Sequence, residues 1–342
     1  MTVRPPRRRL VRLLVLLAAA GGVAAAKVDL VFPTPNTTWA RGDITSFVQP
    51  TESGDPESGL FGCVRTGGAQ FHEGLDIRPM ARDRRGEATD PIFAAMDGVV
   101  RLVSTNPGAS RYGRYIVLEH PDQTPAVYTL YAHLARAEPG LAPGTRVRKG
   151  QTIGTMGRSA GGYAIPKERA HLHFEIGLRL SDDFQAWYDQ RRFGSRNLHG
   201  VWNGMNLMGL DQLDFLRQWR AGRVGSFQQY FERMRPAVTV RVATTRVPDF
   251  VRRYPALLRR PIEGLVAGWE VAVNQTGLPF AWTPLDARDV AGYRPGEVRV
   301  VSSDAATLRA VRCKQLVKPR RGGDLPGDDL VTVLQLTLGV RG

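Results

Sequence analysis

The sequence predicts a mainly β protein: an antiparallel, barrel-like β unit over residues 70–180, a helical connecting segment over 181–235 and a small C-terminal β domain over 236–342. Short apolar runs broken by glycines and turn pairs fill residues 90–177 with almost no helical periodicity, which is the pattern of antiparallel strands. From Ser181 apolar and charged residues take up helical spacing, and from Pro236 the chain turns strand-like again. With 342 residues, 42% hydrophobic and 8% aromatic, the chain has the length of about two domains. That composition excludes wholesale disorder, collagen and a multi-span membrane protein.

Residues 1–26 read as an export signal. Arg4, Arg7, Arg8, Arg9 and Arg12 precede Leu13 to Ala26, an apolar run that ends in Ala24-Ala25-Ala26. The run is shorter than the roughly 20 residues a membrane-spanning helix needs, so cleavage before Lys27 leaves no stable membrane span and places the mature protein in the periplasm or outside the cell. Arg7-Arg8-Arg9 loosely resembles a twin-arginine signal, with Pro6 where Ser or Thr belongs. Removing the signal lowers the formal charge from +15 to about +10. Arginine supplies nearly all of the basic charge, so an anionic partner is only weakly implied. Nucleic-acid binding is disfavoured, because no zinc finger, helix-turn-helix or aromatic RNA-binding motif is present.

Residues 27–69 form an N-terminal extension holding one of the two cysteines, Cys63; the other is Cys313. Two cysteines exclude a cysteine-rich zinc site and a disulfide-dense scaffold. One bridge between them, pinning the far C-terminus ahead of the first motif, and two free buried thiols are the alternatives.

Four of the six histidines fall in three short clusters. The first is His72-Glu73-Gly74-Leu75-Asp76, the second Leu130-Tyr131-Ala132-His133-Leu134 and the third His171-Leu172-His173-Phe174-Glu175-Ile176. The third alternates as a strand, with His171, His173 and Glu175 on one face and Leu172, Phe174 and Ile176 on the other. Two imidazoles about 7 Å apart on one strand face converge on a single centre. A catalytic zinc takes three N or O ligands and keeps its fourth position for water; His72 with Asp76 supplies the missing types. Taken singly each pair reads as ordinary surface or core histidines, but together, with His133 in an apolar-aromatic stretch, they point to a metal site. Spacing alone does not decide which of His171 and His173 binds the ion.

Between the clusters, Pro91 to Ala95 precedes the turn pair Asp97-Gly98, and Val99 to Val103, Tyr115 to His120 and Ala126 to Leu134 follow as strands. Gly144 to Gly154 alternates short strands with glycines. Over residues 70–178 the chain resembles the LytM/lysostaphin-type zinc metallopeptidases, most of which are peptidoglycan endopeptidases. The resemblance lies in five collinear motifs: His72 with Asp76, Pro91 to Val100, Leu130 to Leu134, Gly150 to Gly157 and His171 to Ile176. It implies a LytM-type catalytic domain in which His72, Asp76 and His173 ligate zinc and His133 and His171 stand beside the open position as catalytic residues. One of that pair would take the proton of the attacking water; the other would hydrogen-bond the oxyanion or protonate the departing amine.

The chain departs from that pattern at Gly161 to Ala170, a longer loop before the third cluster that is expected at the rim of the cleft, where loops select substrate. Arg114 also stands where many relatives have a small polar residue. Glu73 reads as a loop residue facing solvent, and Glu175 either orients a ligand or is solvated. His120 and His199 match no motif and read as structural or surface residues.

The helical segment carries an apolar face of Leu213, Phe215, Leu216, Trp219, Phe227, Tyr230 and Phe231, interrupted near Gly222 and Gly225. In the C-terminal part, Val238 to Val242, Leu265 to Val273, Val298 to Val301 and Val331 to Leu336 are the expected strands of a small sandwich or barrel, of no family resemblance and with an unknown partner. The expected function is an exported zinc endopeptidase acting on peptidoglycan peptides. The alternatives are a non-catalytic relative that regulates another wall hydrolase and a zinc peptidase that cuts a secreted protein.

Overall fold

The computed structural model describes residues 27–339; the expected export signal lies outside them. In chain order the first strands are β1 (Gly62–Arg65), β2 (Gln70–His72), β3 (Leu75–Ile77), β4 (Pro91–Phe93), β5 (Gly98–Ser104), β6 (Tyr115–His120), β7 (Val127–Ala132), β8 (Arg136–Ala137), β9 (Arg146–Val147), β10 (Thr152–Thr155), β11 (Leu172–Arg179) and β12 (Leu207–Gly209). Seven of these make an antiparallel sheet in the order β12, β11, β7, β6, β5, β9, with β3 also paired to β11. The end strands β12 and β9 do not pair with each other, so the expected antiparallel sheet is open and its barrel-like closure is corrected. A smaller sheet, β4, β10, β8, lies beside it.

Alternation along β7 and β11 buries both sides of the large sheet. Leu172, Phe174, Ile176 and Leu178 of β11 enter the main core with Ile116, Leu118 and Tyr131. On the opposite side Tyr115, Val117, Tyr128, Leu130 and Ala132 form a second apolar cluster with Leu207. His173 and Glu175 project to this second side, so a dry floor lies directly beneath them.

The N-terminal extension is stitched to the sheet. Val28, Leu30, Phe32, Phe47 and Val48 join the main core, Val48 bridges Ile77, and the Gln49 amide donates to the Asp76 carbonyl at 2.9 Å. Beyond β11 come α1 (Phe184–Arg191), α2 (Gln212–Arg220) and α3 (Phe227–Glu232). Asp211 and Ser226 cap α2 and α3 by accepting from the Asp214 and Gln229 amides. The apolar face expected over Leu213 to Phe231 is buried except at Trp219, which is half-buried, and the break falls at Gly222 and Gly225 as the spacing indicated.

The C-terminal part holds β13 (Val238–Ala243), α4 (Asp249–Arg253), β14 (Gly268–Val273), β15 (Pro279–Leu285), β16 (Val298–Ser303), α5 (Ala305–Ala310) and α6 (Asp328–Leu338). Four of its strands form an antiparallel sheet in the order β15, β14, β13, β16, and two short ones, Val317–Lys318 and Leu325–Pro326, pair separately, so this part is neither a sandwich nor a barrel. The expected strand Val331 to Leu336 is instead inside α6. Its β-branched residues suggested a strand, but Leu330, Val333, Leu334, Thr337 and Leu338 are buried at helical spacing. Asp328 and Asp329 occupy the first turn and Gly339 closes the helix in the left-handed conformation. Strand β15 was missed because Pro279 and Pro284 argue against a strand; it sits at a sheet edge, where proline is tolerated. One apolar core runs without interruption from the large sheet through α1 to α3 into this sheet, and Cys63 and Cys313 are joined in a disulfide across Cα atoms 5.6 Å apart.

Candidate metal centre

Strand register builds the centre. In the pairing of β11 with β3, His173 stands directly opposite Asp76, and His72 ends β2 a tight turn earlier. Gly74 makes that turn possible, since a Cβ there would meet the His173 ring at 2.8 Å and the Phe174 carbonyl at 2.7 Å. The result is a triangle of donor atoms: His72 Nε2 to His173 Nδ1 is 3.0 Å, His72 Nε2 to Asp76 Oδ1 is 3.1 Å, and His173 Nδ1 to Asp76 Oδ1 is 3.1 Å. All three residues are buried.

Acceptors on the far side of each ring set the tautomers. His72 Nδ1 donates to the Leu60 carbonyl at 2.7 Å, and His173 Nε2 donates to Glu175 Oε1 at 2.9 Å. A carbonyl or carboxylate only accepts, so the nitrogens that face Asp76 are left with lone pairs. Two imidazole lone pairs and a carboxylate oxygen within 3.1 Å of one another would repel unless a cation or proton lies among them. Zinc with bonds of 2.0–2.1 Å spaces tetrahedral ligands about 3.3 Å apart, so the residues present fit a small divalent ion.

His133 and His171 complete the group. Their rings meet edge to face with centroids 4.8 Å apart, and His171 Nε2 is 3.5 Å from Asp76 Oδ1. His133 Nδ1 donates to the Ser159 carbonyl at 2.8 Å and His171 Nδ1 to the Arg169 carbonyl at 2.6 Å, leaving each Nε2 bare. His133 follows β7 at φ 61°, a left-handed conformation uncommon for a residue with a side chain. There its amide donates to the Tyr112 carbonyl at 2.9 Å.

Burial pushes His133 well below the ordinary histidine range, helped by the rings of His171 and His173. Burial likewise lowers His171, although the charge of Asp76 opposes it. Both are therefore neutral near pH 7, with Nε2 free to take a proton. His173 behaves oppositely: burial works against its charged form, but hydrogen bonds and charge from Asp76 and Glu175 outweigh it and hold the pKa up at about 9.

Glu175 is the hub of the supporting shell. It is 1% exposed and accepts from the Tyr112 hydroxyl at 2.6 Å and the Tyr128 hydroxyl at 2.7 Å as well as from His173. Of the two readings left open by the sequence, this placement is that of an orienting residue. Burial and the Glu175 charge hold both tyrosines well above their usual range, so they remain donors.

The five residues lie in a cleft of about 1280 Å³. Tyr163, Ala164, Ile165 and Arg169 line it, which puts the expected rim loop where the sequence suggested. Pro50 to Ser53 and Arg65 of the N-terminal extension line it as well. Glu73 is exposed. His120 is structural, bonded to the Asp97 carbonyl at 2.7 Å and Thr129 Oγ1 at 2.8 Å, whereas His199 borders the cleft. Arg114 contributes main-chain bonds, its amide donating to Ser159 Oγ at 2.8 Å. Sequence reasoning missed Arg65, Tyr112 and Tyr128; the position of Tyr128 on the same face of β7 as Leu130 was the one available signal.

An antiparallel sheet presenting two imidazoles and a carboxylate in a cleft, beside two neutral histidines, suits a divalent ion with proton acceptors next to it, the components of metal-assisted hydrolysis. Residues 70–183, about a third of the chain, match Peptidase family M23. Over 112 residues, 32% of this chain, it is 36% identical to the peptidoglycan DD-endopeptidase ShyC of Vibrio cholerae, and it spans 21% of that protein's length. Among solved structures, the lysostaphin catalytic domain of Staphylococcus simulans is similar at 21% identity, covering 46% of this chain and 87% of that one with a TM-score of 0.28. A glycyl-glycine endopeptidase LytM of Ruminococcus gnavus is similar at 28% identity, covering 34% and 43%, with a TM-score of 0.26. At such TM-scores the two structural likenesses decide nothing, and the similarity to the family rests on the sequence match over residues 70–183.

Proposed function

We propose that this chain is an exported zinc endopeptidase that hydrolyses peptide cross-links of bacterial peptidoglycan. The observation that carries the reading is the triangle of His72 Nε2, Asp76 Oδ1 and His173 Nδ1, with the far nitrogen of each imidazole already committed to an acceptor. His72, Asp76 and His173 would hold the ion, which supplies Lewis acidity that acidifies water and polarises a carbonyl.

The remaining chemistry belongs to His133 and His171. The bare Nε2 of one accepts the proton of the attacking water, and as the imidazolium forms, its Nδ1–H stays bonded to the Ser159 or Arg169 carbonyl. The proton taken up is returned to the departing amine; the other ring, equally bare at Nε2, donates to a developing oxyanion only once it has itself taken up a proton. Burial keeps both bases neutral before the reaction, and the Tyr112–Glu175–His173 chain fixes the neighbouring ring.

Export is supported by the arginine-rich, apolar start of the sequence and by the Cys63–Cys313 bridge, which suits an oxidising compartment. No helix among the described residues is long and apolar enough to cross a membrane. The wall as substrate is supported by the similarity to ShyC and by the basic charge. The rim loop with Tyr163 exposed in the cleft favours, as a second reading, a peptidase that cuts a secreted protein. Incubating the mature protein with isolated peptidoglycan, with and without a chelator, and identifying fragments by mass spectrometry tests the proposal. Chelator-sensitive release of cut cross-links is expected. Failure to release fragments from several wall types by a zinc-loaded protein contradicts it.

A further inference from the structure

We propose that Arg65 is a positioning residue of the metal centre, holding one oxygen of Asp76 so that only the other faces the ion. The proposal rests on the reading of His72, Asp76 and His173 as the ligand set. The two oxygens of Asp76 have different partners. Oδ1 faces His72 Nε2 and His173 Nδ1, each at 3.1 Å, and His171 Nε2 at 3.5 Å. Oδ2 faces Arg65 Nη2 at 2.5 Å.

Nothing in the ligand itself enforces that division, because a carboxylate binds a metal through one oxygen or both. A second Asp76 oxygen on the ion would occupy the position that a hydrolytic site must keep open for water. A charge-assisted bond from a guanidinium is strong enough to keep Oδ2 away. The pair is largely shielded, with side-chain exposures of 27% and 3%.

The chain goes to some trouble to put Arg65 there. It lies in β1, outside the large sheet, at a shift in the β1–β2 register between Cys63 and Arg65. Its Nε also donates to the Ser58 carbonyl at 3.4 Å. Two residues away, Cys63 is bonded to Cys313, so the strand that presents the guanidinium is covalently tied to the C-terminal part. Lysine would supply the charge without the planar fork that spans Asp76 and Ser58.

The test compares the full mature protein with R65Q and R65K, each stripped of metal and loaded with cobalt(II), whose visible absorption reports coordination number. Parent protein should bind one equivalent, and R65Q should give a weaker band, the signature of an added oxygen ligand. R65Q should also lose zinc affinity by about 10- to 100-fold in competition with a chromophoric chelator, with R65K intermediate. Identical cobalt spectra and zinc affinities in parent and R65Q would overturn the proposal. If R65Q does not fold, R65K decides by the same two readouts, and a spectrum and affinity equal to the parent's overturn it. A folded parent that takes up no cobalt or zinc overturns the ligand set beneath the proposal instead.

Discussion

His173 stands directly across from Asp76 on neighbouring antiparallel strands, its Nδ1 3.1 Å from Oδ1. That register separates His173 from His171, which lies on the same face but just outside the strand. His173→Ala should therefore abolish zinc binding and hydrolysis together. Metal analysis of the purified variant checks this, and an active variant free of metal would remove His173 from the ligand set.

Glu175 gives the same ring its orientation. Glu175→Gln keeps the size but places an amide donor where three donors already converge, the His173 Nε2–H and the hydroxyls of Tyr112 and Tyr128. Zinc affinity should fall by about 10- to 100-fold, measured by chelator competition, while Tyr112→Phe, which leaves the other two bonds intact, should cost less.

The metal-free centre should hold a proton that the ion displaces. His173 is held up at about 9, so at pH 7 it is protonated in the empty site, and binding releases that proton. Zinc affinity should then rise with pH, about tenfold per unit, and level off near 9. Calorimetric titration in buffers of different ionisation enthalpy counts the protons released. A count of zero at pH 7 would contradict the assignment of that proton to the site.

The proposed catalytic pair should behave differently from the proposed ligands. His133→Asn retains a residue that tolerates the left-handed backbone at φ 61° but removes the bare Nε2. Zinc occupancy should persist while turnover falls by at least about a hundredfold. Near-normal turnover in a zinc-loaded variant would take His133 out of the mechanism.

The bridge between Cys63 and Cys313 should contribute to stability. Cys63→Ser should lower it by about 2–5 kcal/mol, read as an earlier denaturant midpoint, and free-thiol counting on the unreduced parent should find none.

Much of this was legible where one local rule decides. Period-two alternation placed His173 and Glu175 opposite Leu172 and Phe174, and the breaks at Gly222 and Gly225 fell where their residue types required, whereas the bend expected at Asp97-Gly98 covers Ala95 to Asp97 and Gly98 opens β5. What escaped depends on distant chain. The carbonyls of Leu60, Ser159 and Arg169 that set the histidine tautomers carry no side-chain signature, and Arg65 reaches Asp76 only because β1 is held against β2. The barrel-like closure was an inference from strand spacing, which does not say whether sheet ends meet. Helix α6 was misread because Val331, Thr332 and Val333 favour strands locally, whereas burial of Leu330, Leu334 and Leu338 on one core-facing stripe decides for the helix.

Hydrolysis measured during zinc titration of the metal-stripped protein tests the central claim most directly. The arrangement of His72, Asp76 and His173 predicts an inactive stripped protein whose cleavage of wall peptides returns and saturates at one equivalent of zinc. Full activity without metal, or zinc uptake that restores no cleavage of any peptide, would contradict it.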